Sequence, residues 1–123
     1  MNEIAENLKE RSIRFALRLA RFCRTLPDTW DGRFVRDQLF RSGARIAANY
    51  RAACRARSHR DFVSKLGMTV EESDESVFWL MFVARAGMVN NSEQKELLDE
   101  AGQLLAIFMA SSKTASTRRP RPN

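Results

Sequence analysis

The sequence predicts an all-α protein, an antiparallel up-and-down four-helix bundle over residues 1–112 followed by a flexible, disordered basic C-terminal tail over residues 113–123. Three observations carry this. Apolar residues recur at steps of three, four and seven through four long segments. Short stretches rich in Pro, Gly, Asn and Ser separate those segments. No strand-like alternation and no solenoid repeat period occurs anywhere in the chain. With 123 residues, 44% of them hydrophobic and 29% charged, the chain is long enough for one buried core and too apolar for a disordered polymer.

The first helix is expected from about Ile4 to Thr25, because Leu8, Phe15, Leu19, Phe22 and Leu26 keep one face apolar until Pro27 stops the helix. Ile13, Ala16, Leu17, Ala20 and Cys23 widen that face, so this helix should touch more than one neighbour. Arg11, Arg14, Arg18 and Arg21 occupy the rest of its circumference. The connection Leu26–Gly32 holds a proline, a glycine and short polar caps, the chemistry of a helix-to-helix turn.

A second helix is expected from about Trp30 to Ala56, with Phe34, Leu39, Ile46, Tyr50 and Cys54 as its apolar stripe. Gln38, Ser42, Arg45 and Asn49 share another face and make it one of hydrogen-bonding groups. Ser58 followed by Asp61 reads as an N-cap with an acidic first turn. The third helix follows to about Ala86 through Phe62, Leu66, Val70, Val77, Leu80 and Val83, with Gly87 at the C-cap position. Asn90-Asn91-Ser92 makes the last turn, and Leu97, Leu98, Ala101, Leu104, Leu105 and Phe108 mark the fourth helix. Beyond Ser111 the apolar period is lost and the positive charge rises.

Function classes are narrowed by what the residues can do. The longest apolar run, Val77–Ala84, is too short to span a bilayer, and the acidic start has no apolar core of a secretion signal, so a cytoplasmic protein with no membrane partner is expected. Cys23 and Cys54 are far apart and outside any C-x-x-C spacing, which reads as two reduced thiols. His59 is the single histidine, no nucleophile motif surrounds a serine, and no glycine-rich phosphate loop is present, so no catalytic residue, no metal and no cofactor is assigned, and the protein is expected not to be an enzyme. The acidic run Glu71, Glu72, Asp74 and Glu75 lacks the Glu-x-x-His pattern of bundle metal sites.

Charge is segregated along the chain. Residues 1–60 hold 14 basic and 6 acidic side chains, residues 61–112 hold 3 and 9, and residues 113–123 hold 4 and none. Such segregation means either neutralisation between helices or a basic face that meets an acidic partner such as nucleic acid. For the second case the candidate residues are Arg11, Arg14, Arg18, Arg21, Arg51, Arg55 and Arg57, joined by the Arg118, Arg119 and Arg121 tail; the aromatics belong mostly to the core pattern, so any binding to RNA or DNA should be indifferent to sequence. For the first case Gln38, Arg41, Ser42, Arg45 and Asn49 of the second helix face Glu72 and Glu75 of the third, as a buried or half-buried polar network; a buried Arg41–Glu75 pair would cost about 3–5 kcal/mol to break.

The middle of the chain resembles a known family: small bacterial four-helix-bundle proteins encoded in intervening sequences of large-subunit ribosomal RNA genes, relatives of the accessory variability proteins of diversity-generating retroelements. Leu26-Pro27, Asp37–Ser42, Ile46–Arg51, Ala56–Ser58 through Phe62, Lys65–Gly67, Glu72–Ser76 and Trp79-Leu80 carry the resemblance. It departs at Ala52 and Met81, where the family often has glutamate. The resemblance implies self-assembly into a ring, a homopentamer, with a basic surface; its retroelement branch implies binding to nucleic acid and to a reverse transcriptase. Two readings follow: a non-enzymatic oligomeric scaffold that binds nucleic acid, or a protein–protein interaction module whose charges serve subunit contacts alone.

Overall fold

The computed structural model describes residues 2–118, and in it the chain forms four helices: α1 (Glu3–Cys23), α2 (Trp30–Cys54), α3 (His59–Arg85) and α4 (Ser92–Thr117). Each starts where a short polar side chain accepts a hydrogen bond from an amide of the first turn: Asn2 from Ala5, Thr29 from Gly32, Ser58 from Asp61 and Asn91 from Gln94. Glu3, Asp31, Asp61 and Glu93 add negative charge beside those free amides.

The ends differ slightly from the sequence expectation. α1 and α2 each stop two residues early, because Arg24 to Leu26 and Arg55 to Ala56 close tighter i to i−3 turns. Leu26 is also pushed out of helical conformation by the following Pro27. α3 ends on Gly87, whose positive φ of 72° brings the Met88 amide back to the Val83 carbonyl at 2.9 Å.

The larger correction concerns the last helix. Residues 113–117, expected to belong to a disordered tail, are helical instead, since α4 continues through Thr117. Ala115 is buried there, and the His59 ring donates from Nε2 to the Ala115 carbonyl at 2.9 Å, so the last turn has tertiary partners that hydrophobic periodicity alone did not register. The rest of the expected tail, residues 119–123, lies outside the described residues.

Consecutive helices are neighbours and α4 closes back on α1, which makes the antiparallel up-and-down ring of four helices. Phe15 and Leu19, Leu39 and Ile46, Leu66 and Leu80, and Leu97, Leu104 and Phe108 meet at its centre. Each such side chain contributes about 1.5–3 kcal/mol by leaving water. Two adjustments let the helices come close. Gly43 of α2 faces Leu19, and a Cβ there would collide with the Leu19 Cδ2 atom. Between α2 and α3 the small hydroxyls of Ser42 and Ser76 meet at 2.9 Å, while Thr69, Ser73 and Ser76 bond back to carbonyls of their own helix at 2.8–3.0 Å. No buried side-chain polar atom is left without a partner among the described residues.

Substitution of Gly43 by Val is expected to lower stability by about 1–3 kcal/mol through overpacking against Leu19. Gly67 sits in the α3 interior with open space around its Cα. Gly67→Ala should therefore raise stability by about 0.5–1 kcal/mol. Urea-unfolding midpoints of the two variants, moving in opposite directions, check both.

Candidate nucleic-acid interface

The arginines of α1 divide according to the neighbour each one meets. Arg11 donates to both carboxylate oxygens of Glu100, at 2.8 and 2.7 Å, and to Gln103 at 2.9 Å. The Glu100 hydrogen bond, opposed by partial burial, holds the Arg11 guanidinium above its ordinary pKa. Arg18 reaches Glu93 at 3.2 Å and Glu96 at 3.3 Å. Glu93, Glu96 and Glu100 follow one another at helical steps along α4, so they present a single acidic edge to α1. These ion pairs lie along the least tightly packed seam of the bundle. Two of the seven arginines proposed from sequence are therefore already neutralised by the chain itself; the periodicity of α1 did not disclose that α4 would bring acids to that face.

The other five, Arg14, Arg21, Arg51, Arg55 and Arg57, are exposed and make no ion pair among the described residues. Arg51, Arg55 and Arg57 gather at the turn from α2 to α3, where Arg60 is exposed beside them. The same end receives the C-terminus of α4: Arg118 lines a cleft with His59 and Phe62. Arg60 was not singled out from sequence, although it lies within the same arginine-dense stretch.

The polar network between α2 and α3 forms in part, and on the surface. Arg41 stands 3.7 Å from Glu75 and Arg45 3.8 Å from Glu72, both beyond hydrogen-bond length. Their guanidinium-bearing side chains are 56% and 59% exposed, so the pairs are screened by water and worth about 0–1 kcal/mol, not the 3–5 kcal/mol of a buried pair. The long arginine stems carry the charge out of the seam to solvent. Gln38 accepts from Arg41 at 2.9 Å, Ser42 is the one member fully inside, and Asn49 makes no side-chain hydrogen bond among the described residues. Glu75 accepts from the Trp79 indole at 3.4 Å. Glu72 is the more enclosed acid, and desolvation, aided by the charge of Glu75 and opposed by Arg45 and Arg41, raises its pKa.

A buried amide missed from sequence does more structural work: Gln94 of α4 donates to the Leu80 carbonyl of α3 at 2.7 Å, inside the bundle. Sulfur chemistry is muted. Cys23 and Cys54 are both free thiols, Cys23 buried and Cys54 half-buried. Burial pushes the Cys23 thiol up to about 12, so it stays protonated at neutral pH.

Several aromatic side chains lie outside the core, contrary to the expectation from sequence. Trp30 is 79% exposed, and Phe34, Phe78 and Phe82 are exposed around the half-buried Trp79. Trp79 touches Phe34, Phe78 and Phe82 edge to face at centroid distances of 5.9, 4.9 and 5.5 Å. On α3 the core takes Val83, Leu80 and Ser76, which leaves Phe78 and Phe82 turned away; tracing that helix residue by residue reveals them.

Comparison with known proteins places this geometry in context. Residues 6–110 match the model of a family described as 23S rRNA-intervening sequence protein. The fold is similar to the crystal structure of a protein of unknown function from the S23 ribosomal protein family of Bacteroides thetaiotaomicron, with a TM-score of 0.80 at 25% sequence identity, covering 89% of this chain and 97% of that one. No curated protein matches the chain.

Because the raised pKa of Glu72 means that the folded state binds its proton more tightly than the unfolded state, this carboxylate lowers stability above the ordinary glutamate range, and the penalty disappears as pH falls through that range. Glu72→Gln is expected to be as stable as the parent or more stable at pH 7 and to lose the advantage below about pH 4. Arg41→Ala should cost less than about 1 kcal/mol. Urea titrations at pH 4 and pH 7 test both.

Proposed function

The chain belongs to the 23S rRNA-intervening sequence protein family, and we propose that it works as a non-enzymatic, oligomeric cytoplasmic scaffold that binds nucleic acid through a basic surface. The observation that carries the reading is the set of unneutralised arginines at the α2–α3 turn, Arg51, Arg55 and Arg57, with Arg60 beside them and Arg118 at the adjoining end of α4. Exposed guanidinium groups that make no ion pair among the described residues retain their full attraction for phosphates, and the rings beside them, His59 and Phe62, are half-buried, so the recognition is of backbone charge. Arg14 and Arg21 extend the surface along α1, while Arg11 and Arg18 are removed from it by their pairing with α4. No helix among the described residues is long and apolar enough to cross a membrane. A reverse transcriptase is the protein partner that the resemblance to retroelement accessory proteins suggests.

A second reading, an interaction module acting through protein contacts alone, is favoured by one specific feature. Ile13 and Leu17 lie a turn apart on the outer side of α1, and Leu17 is 55% exposed. They are the part of the wide apolar arc that the bundle does not cover, and they suit a contact between copies in a ring such as the homopentamer implied by the resemblance.

Fluorescence anisotropy with structured RNA and with duplex DNA separates the readings. At about 50 mM salt the parent should bind both, and Arg51→Gln, Arg55→Gln and Arg57→Gln together should flatten the dependence of log affinity on log salt by about 2 to 3. Arg18→Gln should leave affinity unchanged. Absence of binding at that salt concentration excludes the nucleic-acid reading. For self-assembly, sedimentation of the parent should show a species larger than a monomer at micromolar concentration, and Leu17→Glu should shift it toward monomer; a monomeric parent excludes the contact.

A further inference from the structure

The exposed aromatic cluster on α2 and α3 is an apolar platform with an acidic border. Phe34 of α2 meets Trp79 of α3, which in turn meets Phe78 and Phe82, and the exposed Trp30 stands one helical turn before Phe34 on the same side of α2. Glu71 and Asp74, exposed and without an ion pair among the described residues, precede the aromatics along α3. Glu75 stands against Trp79, and Asp31 adjoins Trp30. The Asp31 carboxyl is held below its ordinary pKa chiefly by the Thr29 hydroxyl. Arg33 is held by Asp28 at 2.9 Å, and Arg85 is exposed in the last turn of α3. Aromatic faces with neighbouring carboxylates suit one chemistry well: guanidinium groups, attracted by the ring quadrupole and the anions together, interspersed with prolines that lie flat on rings.

This chain carries such a segment. Its last residues, Arg118-Arg119-Pro120-Arg121-Pro122-Asn123, hold three guanidiniums, two prolines and no acid. The same molecule cannot bring that segment to its own aromatic rings. Arg118 lies at the end of the bundle that holds His59, and Trp79 is 20 residues further along α3, about 30 Å away at 1.5 Å per residue. The remaining five residues span at most about 18 Å even when fully extended. We propose that the platform of one copy receives the Arg118–Asn123 segment of a second copy, an exchange of tails that links molecules end to end. None of the platform residues belongs to the basic surface of the nucleic-acid reading, but the tail shares Arg118 with it, so a nucleic acid and the platform compete for the same cation.

The test uses the full-length protein and a labelled peptide of residues 113–123, followed by label anisotropy and by tryptophan emission. Saturable binding with a change in tryptophan emission is the expected result. It should weaken about tenfold when the three peptide arginines are replaced by glutamine, and by a similar factor with Trp30→Ala and Phe78→Ser combined in the protein. Glu71→Lys with Asp74→Lys, two exposed positions outside the core, should weaken it as well and keeps the test valid if the aromatic variant does not fold. No saturable binding up to about 1 mM peptide overturns the proposal. Undiminished binding in the lysine variant also overturns it, because the tail then sits elsewhere, as on the Glu93 and Glu96 edge of α4, or is held by a helix-on-helix contact between copies.

Discussion

Every helix of this protein has to turn its leucine-bearing side inward, and that rotation decides the orientation of everything else. Leu19, Leu39, Leu80 and Leu104 are fully buried, one from each helix. Once they are, the remaining faces have no freedom: the side of α1 carrying Arg11 and Arg18 must look at α4, and the side of α3 carrying Phe78 must look at solvent. Gly43 permits α1 and α2 to pack as they do, since Leu19 fills the space a side chain would have taken. The surface chemistry is thus a consequence of core packing, and the net charge by itself does not set it.

Seen through that constraint, the charge segregation of the chain has two uses. The acids of α4 neutralise part of α1 along the most loosely packed seam, and the acids of α3 stand 3.7–3.8 Å from the exposed guanidinium groups of α2. The more exposed pairs, those of Arg18 and of Arg41 and Arg45, contribute little stability because water competes for both partners, whereas the bidentate Arg11–Glu100 pair is the better-made one. Their larger effect is on what remains. At the α2–α3 turn Arg51, Arg55 and Arg57 make no ion pair among the described residues, so positive charge accumulates there, whereas along α3 before Phe78 the acids Glu71 and Asp74 are the ones left unpaired among the described residues.

Much of the fold was legible in the sequence because its signals are local. Asn2, Thr29, Ser58 and Asn91 cap amides within three residues of themselves, and Gly87 supplies the positive φ that ends α3. The candidate site was legible only in outline. Arginine-rich stretches can be counted along the chain, but whether an arginine is paired depends on residues about 75 to 90 positions away, as for Arg18 with Glu93 and Arg11 with Glu100. The extension of α4 through Thr117 was invisible for the same reason: its stabilising contact is with His59, on another helix. Phe34, read as a core residue from its spacing, shows how an apolar arc exceeds what two neighbouring helices can cover.

The sequence by itself determined the helical class, the number of elements, their order, and most of the inward-facing residues, because a period of 3.6 and a set of caps and breakers are written in neighbouring positions. Only the tertiary structure decided which charges face each other, which aromatics stay in water, and where the last helix ends. Those outcomes depend on the relative rotation and depth of whole helices, and these in turn are set by how a few large side chains interlock across the core.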